Sequence, residues 1–220
     1  ERNGHQHAVQ TAYQIHPPTS GAVHEYGFQV GAYDHSHPLI IDPTVFVYSG
    51  FIGGTSHDEG QSVAVDRAGN AYITGFTNSP AGFPKLVGPD LTQNGTYDAF
   101  VAKVRANGSG LIYAGYIGGQ YDDLGYDIAV DSAGNAYVTG YTYSGQNTFP
   151  VKIGPRTTYN GTPNNWEEAF VAKVNPAGTA LVYCGYIGGS TSDRGVGIAV
   201  DRLGNAYVTG ETTSAAPLFA

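Results

Sequence analysis

The chain has 220 residues, enough for a sizeable core, with 32 glycines, 17 tyrosines, one cysteine and only 13% charged residues, a balance that suits short strands and tight turns rather than helices. A formal net charge of −8 argues against nucleic acid or an anionic membrane surface as a partner, since both select basic patches. The lone cysteine excludes an intramolecular disulfide, and no apolar run reaches the length of a membrane-spanning helix.

Residues 1–42 form a lead-in region. The chain opens at Glu1 without a signal-type apolar segment, which suggests a processed or partial product. Residues 8–15 and 22–33 read as strands separated by the turn-rich stretch 16–21. Six histidines fall here: His5, His7, His16, His24, His35 and His37. The pairs His5/His7 and His35/His37 have the i, i+2 spacing that places both rings on one side of a strand, as zinc or copper ligation would use. No third ligand of matching spacing accompanies them, so solvated loop histidines are the expected reading.

From residue 43 onward one pattern organises the chain. YSGFIGGTSHDEGQSVAVDRAGNAYITGFT, Tyr48 to Thr77, returns as Tyr113 to Thr142 and again as Tyr183 to Thr212, with the second glycine of each Gly-Gly pair at Gly54, Gly119 and Gly189. Within each unit two apolar runs flank a polar turn, as in Val63-Ala64-Val65, Asp66-Arg67-Ala68-Gly69-Asn70 and Ala71-Tyr72-Ile73. That is a β-hairpin, in which the glycine supplies positive φ and Asp66, Asp131 or Asp201 accepts hydrogen bonds from the turn amides. A third run follows a long loop, 99–104 and 169–174, and a fourth follows a short turn, 111–113 and 181–183. Four antiparallel strands per unit make an all-β fold of β-propeller blades, with the VAV and IAV segments innermost and covered on both faces by neighbouring blades. The blade units fall at about 48–112, 113–182 and a truncated 183–220. Cys184 has Ser49 and Ala114 as its repeat counterparts, so a small buried residue is expected there rather than a reactive thiol.

The repeat, with its Phe-Pro pairs Phe83-Pro84 and Phe149-Pro150 and its AFVAKV runs, resembles the bacterial β-propeller repeat family known as SBBP over Thr44 to Thr212. Residues 1–42 resemble the end of the β-rich region that precedes the first blade in longer members. The resemblance implies a secreted or surface-exposed repeat protein, extracellular or on the bacterial cell surface, and no particular reaction.

Candidate sites follow from position. Asp58, Asp123 and Asp193, each four residues past a Gly-Gly pair, would ring one mouth of the channel, where calcium is one possible ligand and capping of backbone amides the other. The long loops 78–97 and 143–166 carry Tyr97, Tyr143, Tyr159 and Trp166, candidates for carbohydrate or protein contacts or for covering the blade rims. Three Asn-Gly-Ser/Thr sequences begin at Asn94, Asn107 and Asn160, each a glycosylation acceptor pattern and equally a turn. Glu167 and Glu168 read as a solvated strand start rather than a glycosidase carboxylate pair. No nucleophile elbow, His-Glu-x-x-His or phosphate-binding loop occurs, so no enzyme is expected.

From Thr44 the pattern supplies one outer strand, two complete sets of four and two inner strands, whereas a closed propeller needs at least four blades, about 16 strands. The ring is incomplete within these residues. Further blades of a longer parent chain, or other copies joined head to tail as a ring or filament, are the expected partners. The expected role is structural or adhesive, the alternative being a propeller that binds a glycan or protein through its long aromatic loops.

Overall fold

The computed structural model describes residues 11–16, 25–32 and 48–215, and all regular structure among them is strand. The chain divides into two units, Glu1–Phe46 and Val47–Ala220. In the first, β1 (Thr11–His16) pairs antiparallel with β2 (Glu25–Val30). His5, His7, His24, His35 and His37 lie outside the described residues.

The second unit holds ten strands. β3 (Asp58–Val65), β4 (Ala71–Thr77), β5 (Asp98–Val104) and β6 (Leu111–Ile117) make one antiparallel sheet in that order. β7 (Asp123–Val130), β8 (Ala136–Thr142), β9 (Glu168–Val174) and β10 (Leu181–Ile187) make a second of the same design, and β11 (Asp193–Val200) with β12 (Ala206–Thr212) gives two strands of a third. These are propeller blades, two whole and one half, and they do not close a ring. The sheets span 58–117 and 123–187, so Tyr113 and Tyr183, the first residues of sequence units, lie inside the outer strands β6 and β10.

Local chemistry fixes the hairpins. In the β3–β4 turn the Gly69 amide donates to Asp66 O at 2.9 Å, with Gly69 at φ 84°, while Asp66 Oδ1 accepts from the Ala68 and Asn70 amides at 3.0 and 2.9 Å. Asp131 and Asp201 repeat the arrangement. Each inner strand carries a β-bulge one residue past its glycine, between Gly60 and Ser62, Gly125 and Asp127, and Gly195 and Gly197. Opposite the bulge the strands approach closely: a Cβ on Gly75 would sit 1.8 Å from the Glu59 carbonyl oxygen, so only glycine fits.

The core lies between the blades. Tyr72, Val101, Tyr113 and Ile117 of the first sheet meet Val138, Phe170, Cys184 and Tyr186 of the second in one buried cluster. The Phe-Pro pairs anchor the long loops onto their own sheets: Phe83 packs on Phe100 and Tyr116, with ring centroids 5.1 and 5.4 Å apart, and Phe149 on Phe170 and Tyr186 at 5.3 and 5.5 Å. Cys184 is fully buried, and burial pushes its thiol well above the ordinary range.

The loops then run back along the outer strands. Leu86 N donates to Ala114 O at 3.1 Å, Ala114 N to Val87 O at 2.9 Å and Tyr116 N to Asp90 O at 2.8 Å. Lys152 N to Cys184 O at 2.9 Å and Tyr186 N to Arg156 O at 2.8 Å form the same strap on β10. Each complete blade thereby covers the edge that would otherwise template pairing with another chain.

The inner strands depart from the sequence expectation of cover on both faces. Ile128 of β7, between two blades, is 4% exposed, but its counterpart Val63 of β3 is 62% exposed. The same apolar pattern is buried or bare according to whether a neighbouring blade is present.

Candidate functional site

The three aspartates singled out from the repeat, Asp58, Asp123 and Asp193, are all caps. Asp58 Oδ2 accepts from Gly54 N at 2.7 Å and Ser79 Oγ at 2.9 Å, and Oδ1 accepts from Thr77 Oγ1. Asp123 takes the same bonds from Gly119 N, Ser144 Oγ and Thr142 Oγ1, and Asp193 from Gly189 N, Ser214 Oγ and Thr212 Oγ1. The strand-end Thr-x-Ser and the Gly-Gly turn, about twenty residues apart in sequence, are thus held by one side chain. These bonds are those of the capping reading, and three of the roughly four lone-pair sites of each carboxylate are engaged by them. Among the described residues no three histidine, cysteine or acidic side chains gather as a metal site.

Burial separates otherwise identical caps. At Asp58 burial opposes ionisation, but the bonds from Thr77, Gly54 and Ser79 outweigh it and hold the carboxyl below its ordinary value. Asp123 is fully buried between two blades, and there burial wins, pushing its carboxyl well above the carboxylate range.

A second carboxylate per blade was not anticipated as buried. Asp98, first residue of β5, is 0% exposed and accepts from the Asn94 and Gly95 amides at 2.9 and 3.0 Å. Glu168, first residue of β9, is also 0% exposed and accepts from the amides of Asn160 and Gly161, the latter at 2.7 Å. The expectation of a solvated strand start at Glu167 and Glu168 is therefore corrected: Glu167 is 6% exposed, and both carboxylates are held by arginines. Two of the three Asn-Gly sequences accordingly serve as amide donors to a buried acid. The signal was present in the spacing, since Asn-Gly precedes an acidic residue that opens an AFVAKV strand in both units.

Their surroundings differ in charge. Arg156 donates to Glu168 Oε2 and to the Gly188 carbonyl, tying the loop to the next Gly-Gly turn. The matching residue of the first blade, after its own Gly-Pro, is Asp90. Burial raises Asp98 to about 6 despite its two amide donors, and the charges of Asp90 and Asp122 add to the rise.

Two devices join blades. The single Tyr72 Oη proton is shared between Asp66 Oδ2 at 3.2 Å and Gly134 O of the next blade's turn at 3.3 Å, and that of Tyr137 between Asp131 Oδ2 at 2.9 Å and Gly204 O at 3.2 Å. Along the inner strands Asp127 accepts from Ser62 Oγ at 2.6 Å on one side and from Ile198 N at 2.7 Å on the other. A single carboxylate thus links all three blades.

The four aromatic candidates do not share one surface. Tyr97 packs edge-on with Phe76 at 5.5 Å and His57 at 5.9 Å. Tyr143 lies against Tyr141 at 5.8 Å, and Tyr141 in turn packs on Tyr126 at 5.4 Å and lies under Arg194, whose guanidinium stands 5.0 Å above its ring and pairs with Glu167. Tyr159 is 7% exposed and packs on Tyr186, which places it in the core and away from any surface ligand. Trp166 is 42% exposed.

Comparison with known proteins agrees with this geometry. The beta-propeller repeat SBBP matches residues 48–84, 112–146 and 183–218, and a domain of unknown function, DUF7948, matches residues 1–44. No curated protein matches the chain. Each matched repeat supplies the capped Gly-Gly turn and inner hairpin of a four-stranded blade design, so the chain carries three SBBP beta-propeller repeats, with a DUF7948 region ahead of its first blade.

Proposed function

We propose that this chain is a structural or adhesive module of the bacterial cell surface or extracellular space, working by joining its blades to further blades, supplied by a longer parent chain or by other copies of itself. One observation carries the reading: the residues that seal a blade joint inside the molecule are bare at its two ends. Tyr72 and Tyr137 are 0% exposed, whereas Tyr207 is 60% exposed, and Val63 and Val65 are 62% and 61% exposed on the opposite end blade. Apolar faces of this kind are stable in water when another blade covers them. No reaction forms part of the proposal.

Sedimentation of the intact chain at rising concentration tests it. Association by about 100 µM is expected, consistent with the modest affinity of an interface that exposes polar edges as well as apolar faces. A monomer throughout that range overturns joining between copies and leaves a longer parent chain as the source of the further blades. A second reading, recognition of an extracellular glycan, is favoured by the Tyr126, Tyr141 and Tyr143 group with Arg194 and Glu167 beside it. Glycan-array binding lost in Tyr143→Ala would support that reading instead.

A further inference from the structure

Three Asn-Gly pairs lie among the described residues, Asn94-Gly95, Asn107-Gly108 and Asn160-Gly161, and all three asparagines are exposed. Asn-Gly is a dipeptide prone to losing its side-chain amide, because the glycine nitrogen, with no side chain beside it, meets little hindrance in attacking the asparagine Cγ. The attack has two requirements: the glycine N–H must give up its proton, and the asparagine backbone must leave its turn to bring that nitrogen against Cγ. Exposure does not separate the three sites, but the partners of their amides do.

At two sites a buried acid blocks both requirements. The Gly95 amide donates to Asp98 Oδ1 at 3.0 Å, the Asn94 amide to Asp98 Oδ2 at 2.9 Å, and Asn94 Nδ2 to Asp90 Oδ2 at 3.0 Å. The Asn160 and Gly161 amides both donate to Glu168 Oε1, the latter at 2.7 Å. Bonds to carboxylate oxygens are the stronger kind, and opening either turn strips a fully buried acid of both amide donors. Gly95 is also wedged against the loop that enters β7, where an added Cβ would lie 2.1 Å from Tyr121 O.

Asn107 stands differently. It lies in the turn joining β5 and β6, where the Gly108 amide donates to Arg105 O at 2.8 Å and the Ser109 amide to Asn107 Oδ1 at 3.1 Å. Both acceptors are neutral, and Arg105, Asn107 and Ser109 are exposed, so opening this turn exchanges two hydrogen bonds for bonds to water. The matching turn of the second blade carries Ala177 and makes the same closing bond, Gly178 N to Asn175 O at 2.9 Å, so the turn does not depend on an asparagine. Tyr113 of the preceding blade covers Gly178, yet Ala177 stays exposed, so a neighbouring blade leaves this corner open to water.

We propose that Asn107 is a site of spontaneous covalent modification in the folded chain, and that the buried acids protect Asn94 and Asn160 from the same reaction. The Gly108 nitrogen bonds to Asn107 Cγ, the Cγ–Nδ2 bond breaks, and the glycine proton leaves with the side-chain nitrogen as ammonia. Water then opens the cyclic imide: attack at Cγ gives aspartate, and attack at the main-chain carbonyl gives isoaspartate. Each product adds a carboxylate to the turn. The isoaspartate also adds a methylene to the main chain directly before Gly108, the residue on which the Tyr48 ring rests, since an added Cβ there would lie 2.3 Å from Tyr48 Cγ. The modification therefore acts at the seat of the tyrosine that opens the first repeat unit.

The test incubates the whole chain at pH 7.5, digests samples over time and maps by mass spectrometry the conversion of each asparagine to aspartate or isoaspartate. A parallel sample in urea gives the rates that local sequence alone dictates, and there the three sites should react alike, each being Asn-Gly followed by Ser or Thr. In the folded chain Asn107 should react about tenfold or more faster than Asn94 and Asn160, because the latter must first break charge-assisted bonds. Equal rates at the three sites of the folded chain, or Asn107 the slowest, overturn the proposal. Asp98→Ala should raise the Asn94 rate toward that of Asn107, while a slow Asn160 in the same molecule reports that the second blade remains folded. An unchanged Asn94 rate in that variant overturns protection by the acid, and the wild-type comparison decides the proposal should the variant fail to fold.

Discussion

The two complete blades share strand order, register and caps, yet they treat one buried position in opposite ways. In the second, Glu168 is neutralised by Arg156. In the first, Asp98 faces Asp90 where the arginine would be. Both acids sit at the start of an AFVAKV strand and both accept two Asn-Gly amides. The difference shows that the amides alone suffice to seat the carboxylate; burial raises both acids above their ordinary values, and at Glu168 the charge of Arg156 works against that rise where at Asp98 the charge of Asp90 adds to it.

Removing the second blade's cation should have the largest effect. Arg156→Ala leaves a fully buried glutamate without its partner, and a loss of about 3–5 kcal/mol in urea unfolding is expected. The loss should shrink on acidification, because protonated Glu168 no longer needs the arginine.

In the first blade the acid itself carries a pH dependence that no cation offsets. Burial puts Asp98 at about 6, above its ordinary 3.8, so the folded state binds this proton more tightly than the unfolded chain does. Its favourable contribution is complete below the ordinary value and is lost as the pH rises through about 6. Asp98→Asn should therefore flatten the pH dependence of stability between pH 5 and 7.5 by about 1.4 kcal/mol, read from unfolding curves at both ends. An unaltered slope would mean that Asp98 is charged at neutral pH and compensated by other groups.

Transplanting the arginine gives the smallest change. Asp90→Arg removes one repulsive charge and offers Asp98 a partner, with an expected gain of about 1 kcal/mol at pH 7.5 and little at pH 5. A gain of equal size at both pH values would point to packing rather than charge.

Much of this architecture could be read from the residues. Asp66, Gly69 and Asn70 announce their turn by local chemistry alone, and the alignment of three units exposes the inner hairpins and the AFVAKV strands. The capping role of Asp58 was one of two open readings, because its partners Thr77 and Ser79 lie beyond the hairpin and meet it only once β3 and β4 are paired. The burial of Glu168 was missed for a similar reason: its partner Arg156 comes from a loop whose path is set by the strap along β10. Exposure of Val63 lies beyond any single-unit reading, since its sequence resembles that of Ile128 and only a neighbouring blade distinguishes them. Tyr159 and Trp166 look alike as loop aromatics, and only the packing of Tyr159 on Tyr186, from a distant strand, turns that one inward.

The straps along the outer strands also determine where this fold tolerates novelty. From Gly88 to Gly95 and from Gly154 to Gly161 the two loops keep equal length, because that stretch includes residues hydrogen-bonded to β6 or β10. Most of the second unit's extra length falls afterwards, in the exposed segment Thr162 to Trp166, where Asn164 adopts φ 62° and local turn bonds suffice. A foreign epitope spliced beside Asn164 would project from the blade without disturbing a ladder, making that turn a natural display position in an engineered array.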